Sequence, residues 1–199
     1  MVSDGVVLAA ALVSAGLLLR QSEDTPAAQS LLLKVSRLAL LGVALAALSR
    51  LTLSDGGQDI ATLRRMLDNL ALYAALPLLA SAMLGATLRW YWSKAGWGRW
   101  LLGLFALFEL CRRMGLGEAY TLTLGGAIGL VLLGAALRLR GILPRLAAVG
   151  SGALFAVAIC TPRLPLPPLP EDLLPLALAA ALPLFAIALL NQLERAAPR

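Results

Sequence analysis

The sequence predicts an all-α membrane protein: a seven-transmembrane helix bundle with its N-terminus outside and its C-terminus cytoplasmic, one polytopic domain over residues 1–199. Three observations carry that prediction. Hydrophobic residues make up 60% of the chain and charged residues only 14%, whereas soluble domains run about 45–50% apolar and about 25% charged. Seven apolar runs approach the roughly 20 residues that a helix needs to cross a bilayer. The basic residues sit almost entirely between those runs, and unevenly on the two sides.

The first run, about 4–20, follows Met-Val-Ser-Asp and has no basic segment before it. It is read as a retained span rather than a signal peptide. The second covers about 35–53, and Ser-Asp-Gly-Gly-Gln-Asp at 54–59 marks a turn after it. The third, about 66–88, begins with Asp68 and Asn69 and contains Tyr73 and Pro77. The fourth, about 97–112, is the weakest: its apolar core is only Trp100 to Phe108, and Glu109 follows. The fifth, about 119–137, opens beside Glu118 and Tyr120 and carries Gly125-x-x-x-Gly129, a spacing that lets helices approach closely within the bundle. The sixth spans about 142–161. Prolines 162, 165, 167, 168 and 170 then predict an extended polyproline-like strap. The seventh, about 172–190, contains no lysine, so it cannot carry a retinal Schiff base. Pro77, Pro175 and Pro183 predict kinks that a bundle can accommodate. The runs are continuous rather than alternating, which argues against barrel strands. Backbone polar groups in lipid must bond internally, which leaves helices.

Counting Lys and Arg in the connections sets the orientation. With seven spans, one side collects 11 and the other 6; if the fourth run does not cross, the split is 9 to 8. Basic loops stay with the cytosol, so seven spans and an outside N-terminus are expected. Arginine far outnumbers lysine, and Ala and Leu dominate, which suggests a GC-rich bacterial genome and a multi-pass protein of the inner (cytoplasmic) membrane. Trp90, Trp92, Trp97 and Trp100, with Tyr91, bracket one cytoplasmic-side connection among Arg89, Lys94 and Arg99. Amphipathic rings favour the headgroup level, so these are expected as membrane-interface anchors.

The net charge of +6 would suggest nucleic-acid binding in a soluble protein. Here the basic residues flank membrane segments and meet anionic headgroups instead. The expected partners are the lipid bilayer and another membrane protein, with no nucleic acid. The chain has no histidine, which removes His-ligated haem or metal and any His general base. Its two cysteines, Cys111 and Cys160, form no Cys-x-x-Cys pair. No cofactor and no metal are expected. A disulfide between them is permitted on an oxidising side, but two small buried apolar residues is the plainer reading.

Ionisable groups inside spans are costly and mark function by default. The predicted topology gathers Asp68, Asn69, Tyr73, Glu109, Arg112, Arg113, Glu118 and Tyr120 near the periplasmic end. They are read as a shallow crevice for a ligand or partner. The competing reading is ordinary interfacial charge at helix ends, with long Arg side chains reaching water. Asp68 resists it, being short and set in an apolar run. No phosphate loop or nucleophile elbow occurs. The expected function is therefore a non-enzymatic accessory or assembly subunit, or a small sensor, using that crevice. A small transporter or channel is the first alternative. An intramembrane lipid-modifying enzyme, with Asp68 and Glu109 as an acid/base pair, is the second.

Overall fold

In the computed structural model, which describes residues 2–20, 27–53, 57–165 and 170–196, the apolar runs are all helical and no strand occurs among those residues. The helices are α1 (Val2–Arg20), α2 (Ala27–Thr52), α3 (Gln58–Leu88), α4 (Lys94–Arg113), α5 (Gly117–Arg138), α6 (Ile142–Cys160) and α7 (Leu173–Ala196). Six of them, all but α4, are long and apolar enough to cross a membrane. This is a multi-pass membrane protein by length and composition. α4 has the length, but Lys94, Arg99, Glu109, Arg112 and Arg113 lower its apolar content.

Two helices begin about two turns before their predicted spans. α2 begins at Ala27 rather than near 35, and α3 at Gln58 rather than near 66. The extra turns of α3 are amphipathic, not apolar: Ile60, Leu63, Leu67 and Leu70 form one stripe among Asp59, Arg64, Arg65 and Asp68. A search for apolar runs does not register such a segment, although its residues propagate a helix. The predicted strap after α6 opens instead as a single 3₁₀ turn, Thr161–Arg163. Its centre, 166–169, lies outside the described residues, as do Glu23, Asp24 and Pro26 of the first connection and Ser54–Gly56 of the second.

α3 is the central helix. Of its most apolar window 67% is buried, against 33% for α1. It is not uniform, because Ala71–Ala75 forms a π-helical turn. Pro77 supplies a cause. It has no N–H to give the carbonyl of Tyr73, and its ring would collide with that carbonyl in a regular α-helix. Widening the preceding turn relieves the clash.

Small residues set the spacing elsewhere. A methyl group on Gly125 would lie 2.6 Å from Cys160 Sγ, and one on Gly152 would lie 3.0 Å from the Leu132 Cβ. Gly125 and Gly129 therefore pack α5 against α6 inside the chain. Phe155 and Phe185 meet edge to face, with centroids 6.5 Å apart, and join α6 to α7. Two buried serines satisfy themselves on their own helices: Ser14 donates to the Ala10 carbonyl, and Ser36 to that of Leu32. The outer surface is apolar. Leu137, Ile142, Leu130 and Leu102 are each at least 70% exposed, a pattern fitted to lipid contact rather than water.

Inter-helix contacts fix how the ends align. Arg50 of α2 reaches Asp68 of α3, and Gly42 of α2 faces Ala75. Trp100 of α4 donates to Ser81 Oγ, while Phe108 stacks on Tyr73. α4 therefore runs antiparallel along α3, and its register carries Arg113 to the level of Asp68. Asp4, beside Arg50, belongs to this same end. Ala158 and Ile159, at the end of α6, line one cavity with Leu174 and Leu178, at the start of α7, so α7 runs antiparallel to α6 and carries Asn191 to the opposite end.

Candidate functional site

The end of the bundle that holds Asp68 contains a cavity of about 370 Å³ between α2, α3, α6 and α7. Its polar lining is Arg50, Asp68, Asn69 and Arg163; deeper, Val43, Leu72, Leu76, Ile159 and Leu178 make an apolar wall. From Asp68 to Leu76 the lining descends about 12 Å at about 1.5 Å per residue. The π turn forms part of the wall through Ala71, Leu72 and Tyr73.

Each polar group has a distinct position. Arg50 Nε donates to Asp68 Oδ1 at 2.8 Å, and its Nη1 lies 3.8 Å from Asp4 Oδ1. Two carboxylates thus share one guanidinium and tie α1, α2 and α3 together. Arg163 donates from Nη1 to the Ile159 carbonyl at 3.3 Å. Among the described residues no carboxylate is recorded within ion-pair distance of it. Glu171 and Asp172, on the same connection, are exposed and are not part of the lining.

Tyr73 is buried and borders the cavity, but its hydroxyl is already engaged. That hydroxyl bonds Thr121 Oγ1 at 2.9 Å, and Thr121 in turn donates to the Gly117 carbonyl. The ring stacks on Phe108 at 3.9 Å, with Tyr120 at 5.8 Å. These three aromatics fasten α3, α4 and α5. The Tyr120 hydroxyl is buried and has no partner among the described residues.

All but one of the residues singled out from sequence therefore fall into three groups, Glu118 standing apart. Asp68, Asn69 and Tyr73 share the cavity. Tyr120 belongs to the aromatic stack behind it. Glu109, Arg112 and Arg113 form a separate network on α4: Arg112 donates twice and Arg113 once to the Glu109 carboxylate, each at 2.8 Å. Glu109 does not line the cavity, and Glu118 is exposed. Asp68 and Glu109 are engaged by different arginines and do not face one another across the cavity. The described residues hold no cluster of acidic or cysteine side chains able to bind a metal. Cys111 and Cys160 are free thiols; Cys160 Sγ points to the Leu122 carbonyl at 3.6 Å.

Arg163 was not singled out by sequence reasoning. It stands one turn beyond the sixth apolar run, where a lone arginine reads as a loop charge. Proline on both sides, at 162 and 165, is a faint signal that its backbone is constrained. In sequence Arg50 is one of several basic residues at a helix end, and its bond to Asp68 depends on the antiparallel register of α2 and α3.

At the other end, the tryptophans form a cluster. Trp92 lies 5.1 Å from Trp97, 5.8 Å from Trp100 and 6.2 Å from Trp90. Trp90 is 60% exposed and Trp97 only 6%. Trp97 is thus a packing residue, while Trp90 can meet the headgroup region. Trp100 Nε1 donates to Ser81 Oγ at 2.9 Å, and Ser81 donates to the Pro77 carbonyl. Comparison with known proteins finds no family model, no curated protein and no solved structure that matches this chain.

Proposed function

We propose that this chain is a non-enzymatic component of a bacterial inner membrane, an accessory subunit or small sensor, which binds a ligand or partner in the cavity between α2, α3, α6 and α7. The observation that carries this reading is the cavity's construction. Four helices enclose it, charged groups occupy its mouth, and a π turn shapes its wall. π turns recur at functional sites. Its volume falls at the lower end of small-molecule sites, roughly 300–1,000 Å³. The engagement of Asp68 by Arg50, and of Glu109 by its own helix, supports binding over proton transfer between the two carboxylates.

In this reading the chain crosses seven times, α4 included, and the cavity mouth faces the periplasm. The 20 residues of α4 reach about 30 Å, the thickness of the hydrocarbon core. Glu109 enters lipid already neutralised by Arg112 and Arg113, which lowers the cost of burying it. The 11-to-6 split of basic residues supports the orientation. Reporter fusions at the two chain ends are expected on opposite sides of the membrane. Both on one side would remove the seventh crossing.

Native mass spectrometry and blue-native gels of gently solubilised membranes test the function. Wild type is expected to carry a small molecule or a partner protein. Ala158→Phe, which fills the cavity from α6, is expected to lose it. A bare monomer from wild-type membranes would sink the reading.

A further inference from the structure

Resting on the reading of the cavity as a ligand site, we infer that its occupant is an anionic amphiphile: one compact anionic head bound at Arg163, and an aliphatic chain lying along α3.

Three features point to that class. The first is the order of polarity. Charged groups lie only at the mouth, at the levels of Arg50, Asp68 and Arg163, while Val43, Leu72, Leu76 and Leu178 line the depth. A ligand polar throughout would leave its inner groups unpaired against that wall. A purely apolar one would desolvate the mouth without compensation.

The second is the state of the two arginines. Arg50 is committed to Asp68 and Asp4. Arg163 gives one hydrogen bond to a backbone carbonyl. A guanidinium has five N–H donors, arranged to grip a carboxylate or phosphate at two points. Arg163 is the group at the mouth with donors to spare, and they carry positive charge. Asp68 is held on the opposite partner, where it repels an anion less than a bare carboxylate would. Asn69 offers a neutral amide to the same mouth.

The third is size. About 370 Å³ holds roughly a dozen groups the size of a water molecule, at about 30 Å³ each. That suits a small acidic head and a chain of about eight to ten carbons. A longer tail would leave the cavity between helices.

The same chemistry has two sources: a free acid or phosphate monoester, and a phospholipid of the surrounding leaflet. The full chain purified in a non-ionic detergent distinguishes them. Decanoate, decyl phosphate and decanol are titrated separately, with binding read by thermal shift and native mass spectrometry. Decanoate and decyl phosphate are expected to bind at least tenfold more tightly than decanol, since a charge-assisted bond is exchanged for a neutral one. Arg163→Gln is expected to abolish that preference and leave decanol within about twofold. Arg163→Lys should restore part of it. A co-purifying phosphatidylglycerol displaced by decyl phosphate would identify the leaflet as the source, and its absence with tight decanoate binding the free acid. Equal affinity for decanol and decanoate, unchanged by Arg163→Gln, would overturn the anionic head while leaving the cavity a ligand site. If no probe bound and wild type carried nothing that Ala158→Phe removes, the cavity reading itself would fail.

Discussion

Two arginine–carboxylate clusters lie at the same level of this bundle, and they behave differently. Arg50, Asp68 and Asp4 come from three helices. Glu109, Arg112 and Arg113 come from one. The Arg50–Asp68 bond has the same length as those to Glu109, 2.8 Å, but the groups holding them differ in exposure. The Arg50 and Asp68 side chains are 37% and 31% exposed, whereas Arg112 and Arg113 are 61% and 76% exposed. A pair within one helix forms whenever the helix forms, and neutralises its own charges. A pair between helices forms only in the folded bundle. It therefore contributes to tertiary stability and fixes the side chains that border a cavity.

The largest expected effect is that of Asp68→Ala. It leaves Arg50 half-buried with only the more distant Asp4. A loss of about 1–3 kcal/mol is expected, below the range for a fully buried pair because both groups keep some water. Unfolding in mixed detergent measures it. The Arg50→Ala, Asp68→Ala double mutant should recover part of the loss, because two uncompensated groups are then removed together. Additive losses would mean that the two clusters are alike and that the inter-helix bond contributes nothing of its own.

A smaller effect separates the packing around the two clusters. Gly125→Ala brings a methyl group against Cys160 and Ile159, where 2.6 Å and 2.9 Å leave no room. Overpacking of this kind costs about 1–2 kcal/mol, offset in part by the gain in helix propensity. The strain falls on the α5–α6 contact, one turn from Arg163, so the mutant is expected to weaken ligand retention in the cavity. The aromatic stack around Phe108 should not be affected; tyrosine fluorescence of Tyr73 and Tyr120 follows it.

Much of this arrangement can be read from composition and spacing, and some cannot. The apolar runs announce their helices because lipid demands length and continuity. Asp68 is conspicuous because an acid in an apolar run is costly. Its partner is hidden: Arg50 is 18 residues away on the preceding helix, and nothing local distinguishes it from any arginine at a helix end. The same limit explains why Asp68 and Glu109 look like a pair in sequence. Topology brings them to one level, but which way each side chain faces depends on helix rotation, and the π turn at Ala71–Ala75 alters the rotation of α3. Tyr73 looks like a site hydroxyl for the same reason, although Thr121 already holds that group. The predicted start of the α3 span near 66 shows a further limit, since the amphipathic extension before it follows the helical period without adding to the apolar run.

The smallest expected effect concerns the α4 network, and it sharpens the contrast because it predicts redundancy. Glu109 accepts from both Arg112 and Arg113. Arg112→Ala leaves Arg113 in place, and Arg113→Ala leaves Arg112. Each single change is expected to alter stability by no more than about 0.5 kcal/mol, the usual range for exposed pairs at this helical spacing. Removing both leaves the carboxylate alone near the end of a helix, where the backbone dipole is also negative. The double change should therefore exceed the sum of the two single ones. At the cavity cluster the order reverses, because loss of Asp68 alone already exposes the defect. Thermal melts of the four α4 variants beside the four of Arg50 and Asp68 compare the two patterns directly. A single arginine deletion on α4 as damaging as Asp68→Ala would show that this exposed helix depends on its charges as much as the bundle interior does.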